Sequence, residues 1–286
     1  MRIALRLPKN HATGSAALRE FVLLGEELGF DSLWIDAHAV IPASVTSQYD
    51  LAALGRPTFG PSMLFPDPFV ELAYAAALTS RVRLGTAVVP LTSSHPLLLA
   101  KQTATLDVVS DGRMELGLGA GWLMEEAHVL GHPTDHPSGR LAEAIQLLRE
   151  AWRDGTFEWH GRYYSMPPVG SYPTPLQGAK LPLWIGGHGR AAERVAADND
   201  AGLILSRVSP AQVQQRRARQ TGLRLGVTLT MHGGPEDWRR AVVDYAKAGT
   251  DLLILILAGE GPQLFDDLRL LGDAVLPAPR PNAIND

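Results

Sequence analysis

The segment WIDAHAVIP closes a short apolar run with two polar side chains that could do chemistry, Asp36 and His38. An imidazole takes up and releases a proton near neutral pH, so His38 is a candidate general acid or base. The two residues lie two positions apart, and on an extended chain their side chains point the same way. We therefore interpret His38 as the candidate catalytic residue and Asp36 as a candidate binding residue. A structural role for a lone histidine stays open.

The apolar segment GTAVVP ends in residues that leave room for a ligand. Thr86, Ala87 and Val88 are small enough for a flat ring to approach the backbone, although plain packing in the barrel is the stronger interpretation of these residues alone. In the next apolar run, GLGAGW, Gly119 and Gly121 precede Trp122. Such glycines let a ligand or a neighbouring side chain lie against a strand. The run is not a dinucleotide fingerprint, because Trp122 stands where the third glycine would be.

A third glycine-rich end, IGGHGR, precedes a helical pattern. Gly186, Gly187 and Gly189 precede a helix and would expose backbone N–H groups at its N-terminus, where an anion such as phosphate is favoured. A tight turn between a strand and a helix, with no ligand, explains the same residues.

Other chemistries lack their residues in this sequence. There is no cysteine, no H-E-x-x-H and no G-x-S-x-G, and the nine histidines are scattered. We predict no metal site. Glu125 and Glu126 lie at a helix start, where the helix dipole accounts for them. A net charge of −4 gives no electrostatic reason to expect nucleic acid or an anionic membrane as partner.

The elements that must position these residues alternate between strand and helix patterns along the 286 residues. Strands are predicted at 2–7, 32–36, 82–89, 114–119, 181–186, 202–205, 223–229 and 251–257. Helices are predicted at 15–28, 67–78, 96–109, 139–152, 190–198, 210–221, 235–248 and 263–271. Eight such repeats predict an α/β fold, a (β/α)8 TIM barrel.

Two insertions interrupt this alternation, one after strand 2 and one after strand 4. Residues 37–66 form a long proline- and glycine-rich loop, and residues 157–182 contain a hairpin pattern with His160 and Gly161 as its turn. We expect one barrel domain over residues 1–276 and a frayed tail at 277–286. The sequence shows neither a signal peptide nor a membrane-spanning run, so a cytoplasmic location is expected.

Four segments together, RLGT, AKQTATLDVVSDGR, LGLGAGW and LPLWIGG, resemble the luciferase-like monooxygenase superfamily, and within it most closely the coenzyme F420-dependent oxidoreductases. The resemblance implies a TIM barrel whose mouth holds a flavin or a deazaflavin. It also implies a non-proline cis peptide at Ala87–Val88 and a cofactor-lining Trp122. Gly186, Gly187 and His188 match the turn that holds the cofactor phosphate in the family.

The sequence departs from this family pattern at three places. Ala37 stands where relatives have the aspartate of an adjacent Asp-His pair, so His38 lacks its usual neighbour. Pro137 replaces an arginine, and Ala201-Gly202-Leu203 replaces an Asp-Gly-Trp sequence. These changes could alter cofactor affinity or activity.

The resemblance implies an F420-dependent oxidoreductase that transfers a hydride between the deazaflavin and a small organic substrate. One alternative is an FMN-dependent two-component monooxygenase supplied by a separate flavin reductase. Another, motivated by Ala37, is a degenerate barrel that binds a ligand without catalysis. A homodimer is also expected, with the apolar helix at residues 71–80 as a candidate contact.

Overall fold

A closed ring of parallel strands forms the centre of the molecule. The computed structural model describes residues 1–9, 15–47, 60–259 and 261–277. Within them the strands are β1 (Arg2–Arg6), β2 (Ser32–Ile35), β3 (Arg83–Thr86), β4 (Val89–Pro90), β5 (Met114–Gly119), β6 (Thr156–His160), β7 (Ser165–Gly170), β8 (Leu183–Gly186), β9 (Gly202–Ser206), β10 (Leu225–Thr230) and β11 (Leu252–Ile256). Eight of these described strands pair in the order β3, β2, β1, β11, β10, β9, β8, β5, and a β3–β5 pairing closes the ring. The predicted TIM barrel is confirmed.

The helices follow the strands and cover the outside of the ring. They are α1 (Ser15–Leu28), α2 (Pro68–Leu78), α3 (Pro96–Val109), α4 (Met124–Val129), α5 (Pro137–Ala151), α6 (Arg190–Asp198), α7 (Pro210–Arg219), α8 (Pro235–Lys247) and α9 (Pro262–Val275). In the part of the chain that the structure describes, no helix is long and apolar enough to cross a membrane. On α2, one face packs within the chain, with Phe69, Leu72, Ala75 and Ala76 buried, while Val70, Ala73 and Ala77 are exposed on the other face.

Two tryptophans fill the interior of the barrel. Trp34 from β2 and Trp184 from β8 meet edge to face, with ring centroids 6.1 Å apart. Each ring lies over a glycine of the next strand in the ring. A Cβ atom on Gly85 would lie 2.4 Å from Trp34 Cε3, and one on Gly202 would lie 2.2 Å from Trp184 Cε3. These glycines therefore make room for the core.

An ionic cluster lies at the end of the barrel where the strands begin. Glu115 is 1% exposed and accepts hydrogen bonds from Arg2 Nη2 at 2.6 Å and Trp184 Nε1 at 2.8 Å. Arg83 pairs with the same carboxylate. Burial alone would raise the pKa of Glu115, but the hydrogen bond and charge of Arg2, with the charge of Arg83, hold it below its usual range. The cluster joins four strands of the ring, β1, β3, β5 and β8.

The insertions differ in detail from the prediction. Residues 48–59 of the first insertion lie outside the described residues, as do residues 278–286 of the expected tail. The predicted hairpin forms from β6 and β7, but His160 pairs with Ser165, so the connection is the four residues 161–164 rather than a turn at His160 and Gly161. The Gly161 amide donates to the Tyr164 carbonyl at 2.9 Å and closes that loop.

Candidate functional site

A histidine and a buried carboxylate meet at the mouth of the barrel, the end at which the strands terminate. His38 follows β2, and its Nδ1 lies 2.7 Å from Oε2 of Glu126 in the first turn of α4. The Glu126 side chain is 1% exposed and that of His38 is 11% exposed. A carboxylate at this distance accepts the Nδ1 proton and fixes the orientation and tautomer of the ring. Nε2 is then the ring nitrogen that carries the lone pair of the neutral imidazole.

Glu126 also binds the backbone beyond His38. Its Oε1 accepts hydrogen bonds from the Ala39 amide at 2.6 Å and the Val40 amide at 3.3 Å. The helix dipole alone therefore does not explain why a glutamate stands at position 126. Ala37 stands where the family pattern has a carboxylate beside the histidine. In this chain the carboxylate next to His38 comes instead from α4, which follows β5 on the other side of β3. The signal available in the sequence was a carboxylate closely following the end of a barrel strand.

The neighbouring Glu125 holds the same loop further along. Its carboxylate accepts hydrogen bonds from the Thr46 amide at 2.6 Å and from the amide and hydroxyl of Ser47 at 2.9 and 2.6 Å. The Ser47 hydroxyl and the Thr46 hydroxyl and amide lower the pKa of Glu125. The two acidic residues of α4 thus fix the start of the loop after β2.

Aromatic rings enclose His38. Its ring lies 4.9 Å from that of Phe65 and 5.8 Å from that of Trp122, both edge to face. The Lys9 ammonium lies 3.5 Å from the centroid of Phe65. Histidine, aromatic rings and a cation therefore occupy one side of the mouth.

Asp36 lies next to this group but has different partners. Its carboxylate pairs with Lys9 Nζ at 2.6 Å and lies 3.9 Å from Arg6 Nη1. Burial is the main reason that the pKa of Lys9 falls below its usual value, against the opposing effect of Asp36. The structure thus brings Asp36 to the rim beside β1, while the carboxylate against His38 belongs to Glu126.

The backbone between β3 and β4 forms a bulge at the mouth. The Ala87–Val88 peptide is cis, as the resemblance implied. The Ala87 amide donates to the Ile35 carbonyl at 2.7 Å, which ties the bulge to the end of β2. Thr86 is fully buried, with its hydroxyl 2.8 Å from the Gly117 carbonyl and 2.9 Å from the Gly117 amide.

The glycines of the neighbouring strands make room for this bulge. A Cβ atom on Gly117 would lie 1.9 Å from the Thr86 carbonyl oxygen, and one on Gly186 would lie 2.7 Å from Val88 Cγ2. On Gly119 it would lie 3.0 Å from that methyl group. The alternating glycines thus accommodate neighbouring protein atoms, one of the two alternatives that the sequence left open.

Gly121 and Trp122 form the turn that leaves β5. Gly121 has φ of +88°, and a Cβ atom there would lie 2.4 Å from Thr92 Oγ1, so only glycine fits. The turn directs the Trp122 ring towards His38. Thr86, Ala87, Val88, Gly119, Gly121 and Trp122 therefore lie together around the mouth; their role in cofactor binding stays a prediction.

The turn after β8 leads directly into α6. Within the described residues, no side chain caps this helix at Gly189, so its first amides are available to an anion. The Arg216 guanidinium donates to the His188 carbonyl at 3.1 Å, and His188 Nε2 lies 3.3 Å from Ser206 Oγ. Gly186 lies beside Val88 of the bulge. Phosphate binding by Gly186, Gly187 and His188 stays a prediction.

The residues at the mouth fit a flat redox ring with a phosphate tail. Small backbone positions and aromatic edges suit a planar ring, and the amides at the start of α6 suit an anion. The mouth also contains the His38 imidazole, whose tautomer is fixed by Glu126.

Comparison with known proteins finds a family and several similar chains. A family model described as luciferase-like monooxygenase matches residues 3–224. An uncharacterized protein of Mycobacterium tuberculosis is 32% identical over 177 residues, which cover 62% of this chain and 61% of that protein. The alignment thus spans about three fifths of the curated relative.

Two solved structures share the fold. An F420-dependent secondary alcohol dehydrogenase, in complex with an F420-acetone adduct, superimposes with a TM-score of 0.77 at 15% identity, covering 96% of this chain and 98% of that one. The oxygenating constituent of 3,6-diketocamphane monooxygenase from Pseudomonas putida, in complex with FMN, gives a TM-score of 0.66 at 16% identity over 96% and 98% of the two chains. At these identities the likeness shows the fold alone. With a family model that matches most of its length, the chain belongs to the luciferase-like monooxygenase family.

Proposed function

We propose that this protein is a coenzyme F420-dependent oxidoreductase that exchanges a hydride between the deazaflavin and a small organic substrate. The observation that carries the proposal is the His38–Glu126 pair at the mouth, 2.7 Å between Nδ1 and Oε2. A substrate whose carbon gains or loses a hydride must also gain or lose a proton at oxygen or nitrogen, and a positioned imidazole supplies that transfer.

In this proposal the protein positions the substrate and transfers the proton. Glu126 keeps the proton on Nδ1 of His38, so that Nε2 accepts a proton from an alcohol or, once protonated, returns one to a carbonyl. Phe65 and Trp122 exclude water from one side of the imidazole. The deazaflavin, when bound, supplies a carbon that takes or gives the hydride in a two-electron step.

The residues proposed to hold the cofactor are those around the bulge and the α6 turn. Ala87 and Val88 would support the ring, Trp122 would flank it, and the amides after Gly187 would bind its phosphate. Asp36 and Lys9, as an ion pair at the rim, would contact the ring edge or the substrate.

The second candidate is an FMN-dependent monooxygenase supplied by a separate flavin reductase. The FMN-bound structural neighbour from Pseudomonas putida favours it, since the same fold holds FMN there. Both candidate functions use the same binding site at the mouth of the barrel. They differ in the redox ring bound there, a deazaflavin or a flavin.

The test is a parallel titration of the full chain with FMN and with coenzyme F420, following ring fluorescence and melting temperature. A ligand that binds the folded state alone raises the melting temperature as its concentration exceeds the Kd. We expect the larger shift with F420. A larger shift with FMN, together with oxygen consumption when the reduced flavin is supplied, would establish the monooxygenase instead.

The His38→Ala variant tests the catalytic role. Because the imidazole is proposed to move a proton rather than to hold the ring, F420 affinity should stay nearly unchanged while turnover of F420 with a panel of small alcohols falls by roughly two to four orders of magnitude. Equal turnover in the two proteins would remove His38 from the mechanism. Tight binding with no turnover in the wild type would favour a degenerate barrel.

A further inference from the structure

A cavity of about 310 Å³ opens beside the mouth, between the N-termini of α3 and α5 and the β6–β7 hairpin. This volume is in the range of small-molecule pockets. Ala120 and Met124 line it, and they lie on either side of Trp122, whose ring contacts His38. The loop after β5 therefore faces the mouth on one side and this cavity on the other.

The ionisable nitrogen groups around the cavity are one guanidinium and two imidazoles. Arg140, His95 and His132 line it, and among the described residues that form its wall there is no aspartate or glutamate. Tyr163 and Tyr164 add phenol groups. A wall with one guanidinium and two imidazoles favours a ligand with negative charge.

The nearest carboxylates face other groups. Glu143 accepts hydrogen bonds from the amides of Tyr163 and Tyr164, so it fastens the hairpin to α5. Asp135 accepts from Arg140 Nη2 at 2.9 and 3.2 Å, but its side chain is 59% exposed. An exposed carboxylate contributes little to binding a guanidinium, so a ligand anion can compete with it.

Two helices begin at this cavity. Pro96 opens α3 and Pro137 opens α5, and neither described helix has an acidic residue in its first turn. Within the described residues, no side chain caps α5. Both positive dipole ends therefore add to the charge of the arginine.

The imidazole of His95 is oriented as a donor. Its Nδ1 accepts the Leu97 amide at 3.2 Å, which leaves the proton of the neutral ring on Nε2. The ring meets Tyr164 edge to face at 5.9 Å. Burial, with a smaller contribution from the charge of His132, lowers the pKa of His95.

We propose that this cavity is a binding site for the carboxylate or phosphate group of a ligand that also reaches the mouth. It is separate from the turn at Gly186 and Gly187, since neither residue lines it. The anion belongs either to the tail of the cofactor or to an acidic substrate. Binding of a simple anion does not require the proposed oxidoreductase function, so the two proposals can fail independently.

The test measures binding of inorganic phosphate and of glutarate to the full chain by calorimetry and melting temperature. We expect saturable binding, weakened about tenfold or more by Arg140→Gln, because a charge-assisted hydrogen bond is lost. Arg140→Lys should recover part of the affinity. The matched control is Arg219→Gln on α7, whose side chain is 48% exposed and is not part of the wall; it should bind like the wild type.

The same experiment identifies the source of the anion. If FMN or F420 displaces the probe while riboflavin, which lacks the phosphate, does not, the cavity rather than the α6 turn holds the anionic tail of the cofactor. If the probe still binds to cofactor-saturated protein, the cavity receives an acidic substrate. Should Arg140→Gln fold poorly, His132→Gln serves as the second variant. Equal binding by the wild type and both variants, or no saturable binding, would overturn the site.

Discussion

At the scale of single residues, the most consequential contact is the one between His38 and Glu126. It joins residues 88 positions apart in the chain, and the ring nitrogen that faces Glu126 is fixed by that contact. The sequence singled out His38 because an imidazole at a strand end is chemically conspicuous. It did not single out Glu126, because an acidic residue in the first turn of a helix already has a local explanation.

Replacing the carboxylate by its amide should change the state of the histidine while leaving the loop in place. In Glu126→Gln the neutral side chain no longer favours the proton on Nδ1 of His38, so the tautomer population shifts. We expect a changed pattern of ring nitrogen shifts in ¹H–¹⁵N NMR spectra and a fall in turnover of roughly 10–100-fold, the range found when a carboxylate that orients a metal-bound histidine is replaced.

The adjacent Glu125→Gln variant is the control, because Glu125 holds Thr46 and Ser47 and not the imidazole. Its histidine spectrum should match the wild type. Identical His38 signals in Glu126→Gln and the wild type would show that the carboxylate does not set the tautomer.

At the scale of elements, the barrel depends on the match between each tryptophan and the glycine on the neighbouring strand. Trp184 lies opposite Gly202 in the register of β8 and β9, and Trp34 lies opposite Gly85 in that of β2 and β3. A side chain at either glycine would occupy the volume of the ring. The interior is filled in this way rather than by branched aliphatic residues alone.

The Gly202→Ala variant should therefore be less stable. The added methyl group would lie 2.2 Å from Trp184 Cε3, and overpacking of this kind costs about 1–3 kcal/mol. Urea denaturation of the two proteins measures the difference. Gly222→Ala is the matched control, because a Cβ atom there meets no heavy atom of the described residues within 4 Å. Equal losses in both variants would contradict the packing argument.

Most elements could be predicted from the sequence, for physical reasons that differ between them. α1, α3, α6 and β5 begin and end where their patterns predict, because prolines, glycines and apolar periodicity mark these boundaries. The predicted strand at 82–89 divides into β3 and β4 at the Ala87–Val88 bulge, which requires the neighbouring strands to support it. The contact between Gly117 and Thr86 could not be predicted, because it depends on the register in which β3 and β5 pair, and the sequence does not specify that register.

At the scale of the whole molecule, a buried acid makes stability depend on pH. Glu71 in the first turn of α2 is 5% exposed, and burial, together with the charge of Asp36, raises its pKa to about 8. Below pH 4.5 the carboxyl is protonated in both the folded and the unfolded chain, so it contributes no pH dependence there. As pH rises towards 8, only the unfolded chain releases the proton, and the folded state loses relative stability.

We therefore expect Glu71→Gln to raise the melting temperature more at pH 8.5 than at pH 5.5. The linkage amounts to at most about 1.4 kcal/mol for each pH unit between 4.5 and 8. Thermal unfolding at several pH values, with the exposed Glu27→Gln as control, measures it. A constant difference between Glu71→Gln and the wild type across this range would exclude the carboxyl as the source.

The homodimer remains a proposal at this scale. The predicted contact helix, α2, buries one apolar face within the chain and leaves Val70, Ala73 and Ala77 exposed on the other. A dimer through this helix would need further surface from its neighbours.

The pairing of β1 with β11 places the first strand of the ring beside the last one, with Arg2 opposite Leu252. During synthesis on the ribosome, β1 can pair with β2 early, but it can pair with β11 only after almost the whole barrel has been translated. A chain released before β11 would be a curved open sheet with two unprotected edges, at β1 and β10, and such edges recruit other chains. Premature termination would therefore produce aggregates rather than a smaller working barrel.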